Sequence, residues 1–310
     1  MRRERLIGIL AAVAFGAGCW SMSSKTTSGQ PADEPRSNVT AVSSTPTPKT
    51  SATPASNTKM PETSTDKLYL RNLGTGFAQP TDDAGKLLLR EYGSVFVARG
   101  VTPPKKVVFK DEADVRAFQS SLQQSSESIG GMTVTLQTPA LNALRAAIAD
   151  ARKSNLTIGP RGVDSSRRGY DQTVTLWASR VNPGFVHWVG AGRVTQAEAT
   201  RIKKLSPFEQ VPEILKLEQQ GIYFAKDLSK SIIYSVAPPG TSQHISMLAL
   251  DVKEFDNARV RLILASHGWF QTVASDLPHF TYLGVSESEL PDLGLKKIVS
   301  GGRDFWVPDI

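Results

Sequence analysis

At 310 residues, 40% of them hydrophobic, the chain is long enough to bury one sizeable core. Its net charge of +7 comes without a dense Lys/Arg run interleaved with aromatic residues, since Lys105-Lys106, Arg167-Arg168 and Lys203-Lys204 are isolated pairs; this argues against nucleic acid as a partner and fits long-range attraction to an anionic cell wall. A sole cysteine excludes an intrachain disulfide, so packing, and a bound metal where there is one, must hold the fold.

Met1 to Arg5 is a basic head followed by an apolar run, Leu6 to Ala17, of the length of an export-signal core and short for a membrane span. Gly16-Ala17-Gly18-Cys19 then resembles a bacterial lipoprotein processing site, so residues 1–19 are read as a signal and Cys19 as a lipid anchor. An ordinary cleaved signal and an uncleaved anchor are the alternatives. Residues 20–65 are read as a stalk: nearly half of Ser21 to Thr65 is Ser or Thr, proline recurs and aromatics are absent, so little apolar surface can offset ordering entropy. The chain is expected to be exported to the envelope or periplasm.

Residues 66–310 carry the folded part. Arg90 to Ala98 and Lys106 to Phe109, rich in β-branched and aromatic residues, predict strands bounded by Gly100 and Pro103-Pro104. Asp111 caps a helix that puts Val115, Phe118 and Leu122 on one face. Met132 to Leu136 predicts a strand, and Thr138 as N-cap with Pro139 at the first helical position opens an amphipathic helix carrying Leu141, Leu144, Ile148 and Ala151. Leu156 to Ile158 predicts a further strand leading into Ser165 to Gln172. Between Gln172 and Leu228 the pattern is helical, with Thr195 and Ser206 as caps. Ser231 to Ala237, Leu248 to Val252 and His279 to Gly284 predict strands, and Asp256 to Gly268 a helix closed by glycine. The fold class expected is α+β, a mainly antiparallel sheet with helices packed to one side, in a single catalytic domain.

Chemistry concentrates near the C-terminus. His244, Asp251 and His279 have the residue types of a three-ligand zinc site, in which the fourth position belongs to a water that the metal acidifies. Taken alone, H-x6-D is far more often unrelated side chains, histidines on strands and an aspartate at a turn.

Ser242 to Val252 resembles the S-x-H-x-x-G-x-A-x-D signature of the VanY-like D-alanyl-D-alanine carboxypeptidases, matching at Ser242, His244, Ala249 and Asp251. Asp276 to Gly284 is similar to that family's E-P-W-H-x-R-Y-x-G segment, matching at His279, Tyr282 and Gly284. Ser165 to Gln172 resembles S-G-Y-R-S-x-x-Q, placing Arg168 and Gln172 on the key positions. The three elements occur in the family's order and the resemblance spans roughly 140–284. The chain departs from it at Met247, where the family has Gly; at Asp276, where it has Glu; and at Leu277-Pro278, where it has Pro-Trp.

The resemblance implies a zinc peptidase acting on peptidoglycan peptides, as carboxypeptidase or endopeptidase, with His244, Asp251 and His279 as ligands. Asp276 would then move the proton and Arg168 would stabilise the developing oxyanion. Gln172, Tyr170 and Ser242 are candidate substrate contacts. His187 and His267 are set aside as ordinary histidines beside aromatic residues, and Trp177, Trp188, Trp269 and Phe270 as core. Two other classes compete: a catalytically inactive wall-binding module of the same fold, and a basic envelope scaffold recruiting partners through the stalk and the region before Gln137. The scaffold would show no convergent ligands.

Overall fold

A short helix, α1 (Leu68–Asn72), opens the computed structural model, which describes residues 67–310; the expected signal, Cys19 and the stalk lie outside the described residues. Helix α2 (Asp83–Tyr92) is capped by the Asp82 carboxylate, which accepts from the Gly85 N–H, and it buries Leu88, Leu89 and Tyr92. A 3-10 helix, Gly93–Val97, continues it. The strand expected over Arg90 to Ala98 is therefore helical. Val95, Phe96 and Val97 are all buried, and a short apolar run enclosed on every side has no period to separate strand from helix. Lys106 to Phe109 is extended but makes a single parallel bridge, Lys106 to Ala78, because Pro103 and Pro104 offer no N–H to lengthen a ladder.

Asp111 caps α3 (Glu112–Ser120) as the sequence predicts. Strands β1 (Gln124–Ile129) and β2 (Met132–Gln137) form a hairpin around Gly130-Gly131, both at positive φ. Helix α4 (Thr138–Lys153) follows, with Pro139 in its first turn and Leu141, Leu144 and Ala151 buried. Thr138 is not its cap but its first residue, because its hydroxyl is taken by Ser125 Oγ at 2.9 Å across the hairpin, and Gln137 holds the cap position without a side-chain bond. Residues 156–158 do not pair as a strand; the only bridge of that segment, among the described residues, joins Pro160 to Val252. The long helix α5 (Tyr170–Gly190) is followed by α6 (Gln196–Lys203), capped by Thr195, and by α7 (Pro207–Glu218), whose Ser206 and Glu209 make a capping box.

In place of a strand over Ser231 to Ala237 there is a 3-10 turn, Ile232–Tyr234. A second, Gln243–Ser246, leads into β3 (Ala249–Asp251), then α8 (Ala258–Ser266), β4 (Trp269–Gln271) and β5 (His279–Tyr282). A closing hairpin, β6 (Leu295–Ser300) and β7 (Arg303–Pro308), completes the chain. The class is α+β and all strand pairing is antiparallel, divided among three small sheets: β1-β2, β3-β5-β4 and β6-β7. One hydrophobic core joins them, running from Tyr69 in α1 to Trp306 in β7. Among the described residues no helix is long and apolar enough to cross a membrane.

Gly284 shows what the motif glycine does: at φ +73°, any Cβ there would collide with the Arg99 carbonyl oxygen. The Arg99 N–H, in turn, donates to the Leu283 carbonyl at 2.9 Å, so the end of β5 is clamped against the segment after α2.

Candidate metal centre

Antiparallel pairing of β3 with β5 sets Asp251 directly opposite His279. The two-residue period of a strand turns Leu250 and Phe280 into the core and leaves Asp251 and His279 together on the other face. His244 reaches the same point from the 3-10 helix just before β3. That helix ends at Met247, buried and at φ 55°, ψ 32°, the left-handed conformation. The backbone thus follows the path for which glycine is the usual residue, despite the methionine.

Ser165 to Arg168 is laid along the edge of β3 by backbone hydrogen bonds. The Asp251 N–H donates to the Ser165 carbonyl at 2.9 Å, and the Arg168 N–H to the His244 carbonyl at 3.3 Å. Three sequence segments therefore meet at one place.

His244, Asp251 and His279 form a group that can hold a metal ion, their ligand atoms all lying within 4.8 Å of one another. Asp251 Oδ1 is 3.2 Å from His244 Nε2 and 3.3 Å from His279 Nδ1. Ligands about 2.0–2.2 Å from one ion stand about 3.3–3.5 Å apart in a tetrahedral site, so the two Asp251 separations are of that size, while the two imidazole nitrogens are bounded only by the 4.8 Å that spans the group.

Each imidazole is oriented by its other nitrogen. His244 Nδ1 lies 2.8 Å from the Ser166 carbonyl oxygen, which can only accept, so Nδ1 carries the proton and Nε2 the lone pair. Gln243 Nε2 donates to the Tyr92 carbonyl at 2.9 Å, which turns Gln243 Oε1 toward His279 Nε2, also at 2.9 Å. His279 is thereby protonated at Nε2 and bare at Nδ1. Asp251 Oδ1 is buried with no hydrogen-bond partner. Three lone pairs converge on one point, and only a cation relieves their mutual repulsion.

The electrostatics agree. Burial pushes His244 toward its neutral form, and the Arg168 charge adds to this against the pull of Asp251. Burial works to raise Asp251, and positive charge on the imidazoles facing it would outweigh burial and hold its carboxyl well below the usual range, so Oδ1 is an acceptor awaiting a cation.

The group opens onto a cleft of about 260 Å³ lined by Arg168, Ser242, His244, Asp276 and His279 among others. Arg168 is nearly enclosed: Nη1 donates to Ser242 Oγ at 3.3 Å, Nη2 lies 3.8 Å from Asp251 Oδ2, and Nε is buried without a partner. Asp276 is exposed at the cleft wall, one tight turn from His279, whose N–H donates to the Asp276 carbonyl at 3.1 Å.

Two candidate contacts lie elsewhere. Tyr170 is buried among Phe109, Val115 and Ile245 and does not line the cleft. Gln172 Oε1 accepts from the Gly169 N–H at 2.8 Å, capping α5, and borders only a shallow groove beside Arg168. Both sit on the first turn of α5, where the side chain of each is taken by packing or capping. His267 lies with Nε2 2.8 Å from Asp150, and His187 packs edge-on to Trp188; neither joins the cluster. Trp177, Trp269 and Phe270 are buried in the core, as expected, and Trp188 is half-buried with its Nε1 donating to the Tyr223 carbonyl. Nothing in the sequence singles out Gln243, which occupies a variable position of the motif.

Comparison with protein-family models, with curated proteins and with solved structures finds nothing that matches this chain.

Proposed function

We propose that the chain is an exported, zinc-dependent D-alanyl-D-alanine peptidase acting on the stem peptides of peptidoglycan. The observation that carries this reading is the convergence of His244 Nε2, Asp251 Oδ1 and His279 Nδ1 within 4.8 Å of one another, with both imidazole tautomers set by outer hydrogen bonds. Two nitrogens and one carboxylate oxygen make a donor set suited to zinc in a hydrolytic site. A bound zinc would supply Lewis acidity at the scissile carbonyl and acidify the attacking water.

The chain's own groups do the rest. Asp276, at the cleft wall with no protein partner for its carboxylate among the described residues, accepts the proton of the attacking water and returns it to the leaving amine. Arg168, with an unpartnered buried Nε and a fixed position against Ser242, stabilises negative charge as it develops on the substrate oxygen. Ser242 orients Arg168.

The test pairs metal content of the purified protein with hydrolysis of a muramyl pentapeptide. Wild type should hold one zinc and release D-alanine, and His279→Ala should lose the metal. Asp276→Asn should keep zinc while activity falls about a hundredfold to ten-thousandfold, because an amide cannot accept and return the proton. Wild-type rates in Asp276→Asn would remove it as the base. A wild type that holds zinc but cleaves none of a panel of wall peptides would leave a wall-binding module instead.

A further inference from the structure

Two arginines line the cleft, and their surroundings differ. Arg168 sits against Asp251 and Asp164, with its side chain only 11% exposed. Arg180 has no carboxylate within 4.0 Å among the described residues, although it is half-buried in the same cleft wall. Its guanidinium is nonetheless held in place: Nε donates to Ser235 Oγ at 2.9 Å and Nη1 to Ser179 Oγ at 2.9 Å. Both partners are neutral hydroxyls, so the charge is oriented but not compensated. Nη2 has no acceptor among the described residues, and a guanidinium fork presents itself well to a planar anion.

Position along the cleft gives the anion a place on the substrate. Thr173, Leu176 and Arg180 share one face of α5 at helical spacing and all line the cleft. Arg168, two residues before the helix, marks the metal end of this wall through its contact with Asp251. Arg180 is ten residues beyond Tyr170, the start of the helix next to Arg168, and so about 15 Å along the helix axis. An extended peptide covers that distance in about four residues.

We propose that Arg180 is an anion subsite that takes a carboxylate of the bound peptide about four residues from the scissile bond, so that the cleft selects acidic peptides. The placement relative to the scissile bond rests on the peptidase reading above; the recognition of the carboxylate does not. Ser235 and Ser179 position the guanidinium, and Tyr234, exposed on the same wall beside Ser235, is placed to cover the peptide there.

The experiment uses fluorescein-labelled peptides ending in D-Ala-D-Ala, with a single Glu or Gln two, three or four residues before the terminal bond. Binding to the full chain is measured both zinc-loaded and after chelation, for wild type, Arg180→Lys, Arg180→Gln and Arg180→Glu. Wild type should prefer the Glu peptide over the Gln peptide at one spacing by about tenfold, the worth of one charge-assisted hydrogen bond. Arg180→Lys should retain part of the preference, Arg180→Gln should abolish it, and Arg180→Glu should invert it. In hydrolysis by the zinc-loaded protein the loss for the Glu peptide should fall on KM. Equal affinities in wild type, no measurable binding of either peptide, or a preference that survives in Arg180→Gln would overturn the subsite. Charge-dependent binding without hydrolysis would sustain the subsite and sink the peptidase; hydrolysis without charge preference would do the reverse.

Discussion

Gln243 decides which nitrogen of His279 is free, and it does so because its own amide has no choice of orientation. Reversing the amide would set Oε1 against the Tyr92 carbonyl oxygen, a repulsion between two acceptors around a buried side chain. Thr281 also donates to Gln243 Oε1. Gln243→Leu should therefore weaken zinc binding about 10- to 100-fold while the fold is kept. Competition against a chromophoric chelator, with circular dichroism as the check on folding, reads this directly; wild-type affinity in Gln243→Leu would mean that β5 alone orients the imidazole. The ligands were legible because histidine and aspartate at recurring spacings carry chemistry in their identity. Gln243 was not, since a glutamine says nothing until its neighbours are known. Ser166 acts on His244 through a backbone carbonyl, which leaves no mark in the sequence at all.

At the scale of elements, the helices announced themselves through their caps: Asp111, Thr195 and Ser206 each accept from a backbone N–H of the first turn, as read. Strands were harder. Arg90 to Ala98 and Ser231 to Ala237 have the composition of strands, but their apolar residues are buried in helical turns whose neighbours the sequence does not display. The hairpin strand β1, QSSESI, has almost no apolar alternation to detect. Glu218, at the end of α7, ties that helix to the turn that replaces the second expected strand. Its carboxylate accepts from the Phe224 N–H at 3.1 Å, the Ile232 N–H at 2.7 Å and the Ser231 hydroxyl. Burial raises its pKa above the ordinary carboxylate value, and the three hydrogen bonds offset this only in part. The folded state therefore binds more protons than the unfolded state above about pH 4.3, so this group's contribution to stability falls as pH rises through that window. Glu218→Gln keeps an acceptor for the two amides and removes the charge. Its melting temperature relative to wild type should rise between about pH 4.3 and neutrality. A difference that stays constant with pH would show that the carboxylate is not the titrating group.

For the whole molecule, the resemblance read from the sequence spans roughly 140–284 and says nothing of the segments on either side. The structure makes both parts of the same core. Tyr69 is fully buried and donates to the Gly93 carbonyl at 2.8 Å, while Gly294, at φ +78°, lets the segment before β6 press against the Tyr69 backbone. Ser94 Oγ donates to the Trp306 carbonyl at 2.8 Å, joining the turn after α2 to the last strand. The site depends on this assembly, because Tyr92, at the end of α2, is the acceptor that fixes Gln243 and hence His279. Removing 67–139 and 285–310 would strip Tyr69, Leu88, Val97, Leu136 and Phe305 from the core, each worth about 1.5–3 kcal/mol of burial. Those five alone come to roughly 8–15 kcal/mol, comparable to the whole stability of a typical domain at about 5–15 kcal/mol. A fragment of residues 140–284 should thus show no cooperative thermal transition and no specific zinc binding, whereas residues 67–310 should melt cooperatively and hold the metal. Calorimetry on both, with and without zinc, separates the cases: a cooperative, zinc-stabilised transition in the short fragment would mean that the two flanks are decoration, and that the Tyr92–Gln243–His279 chain is not needed to build the site.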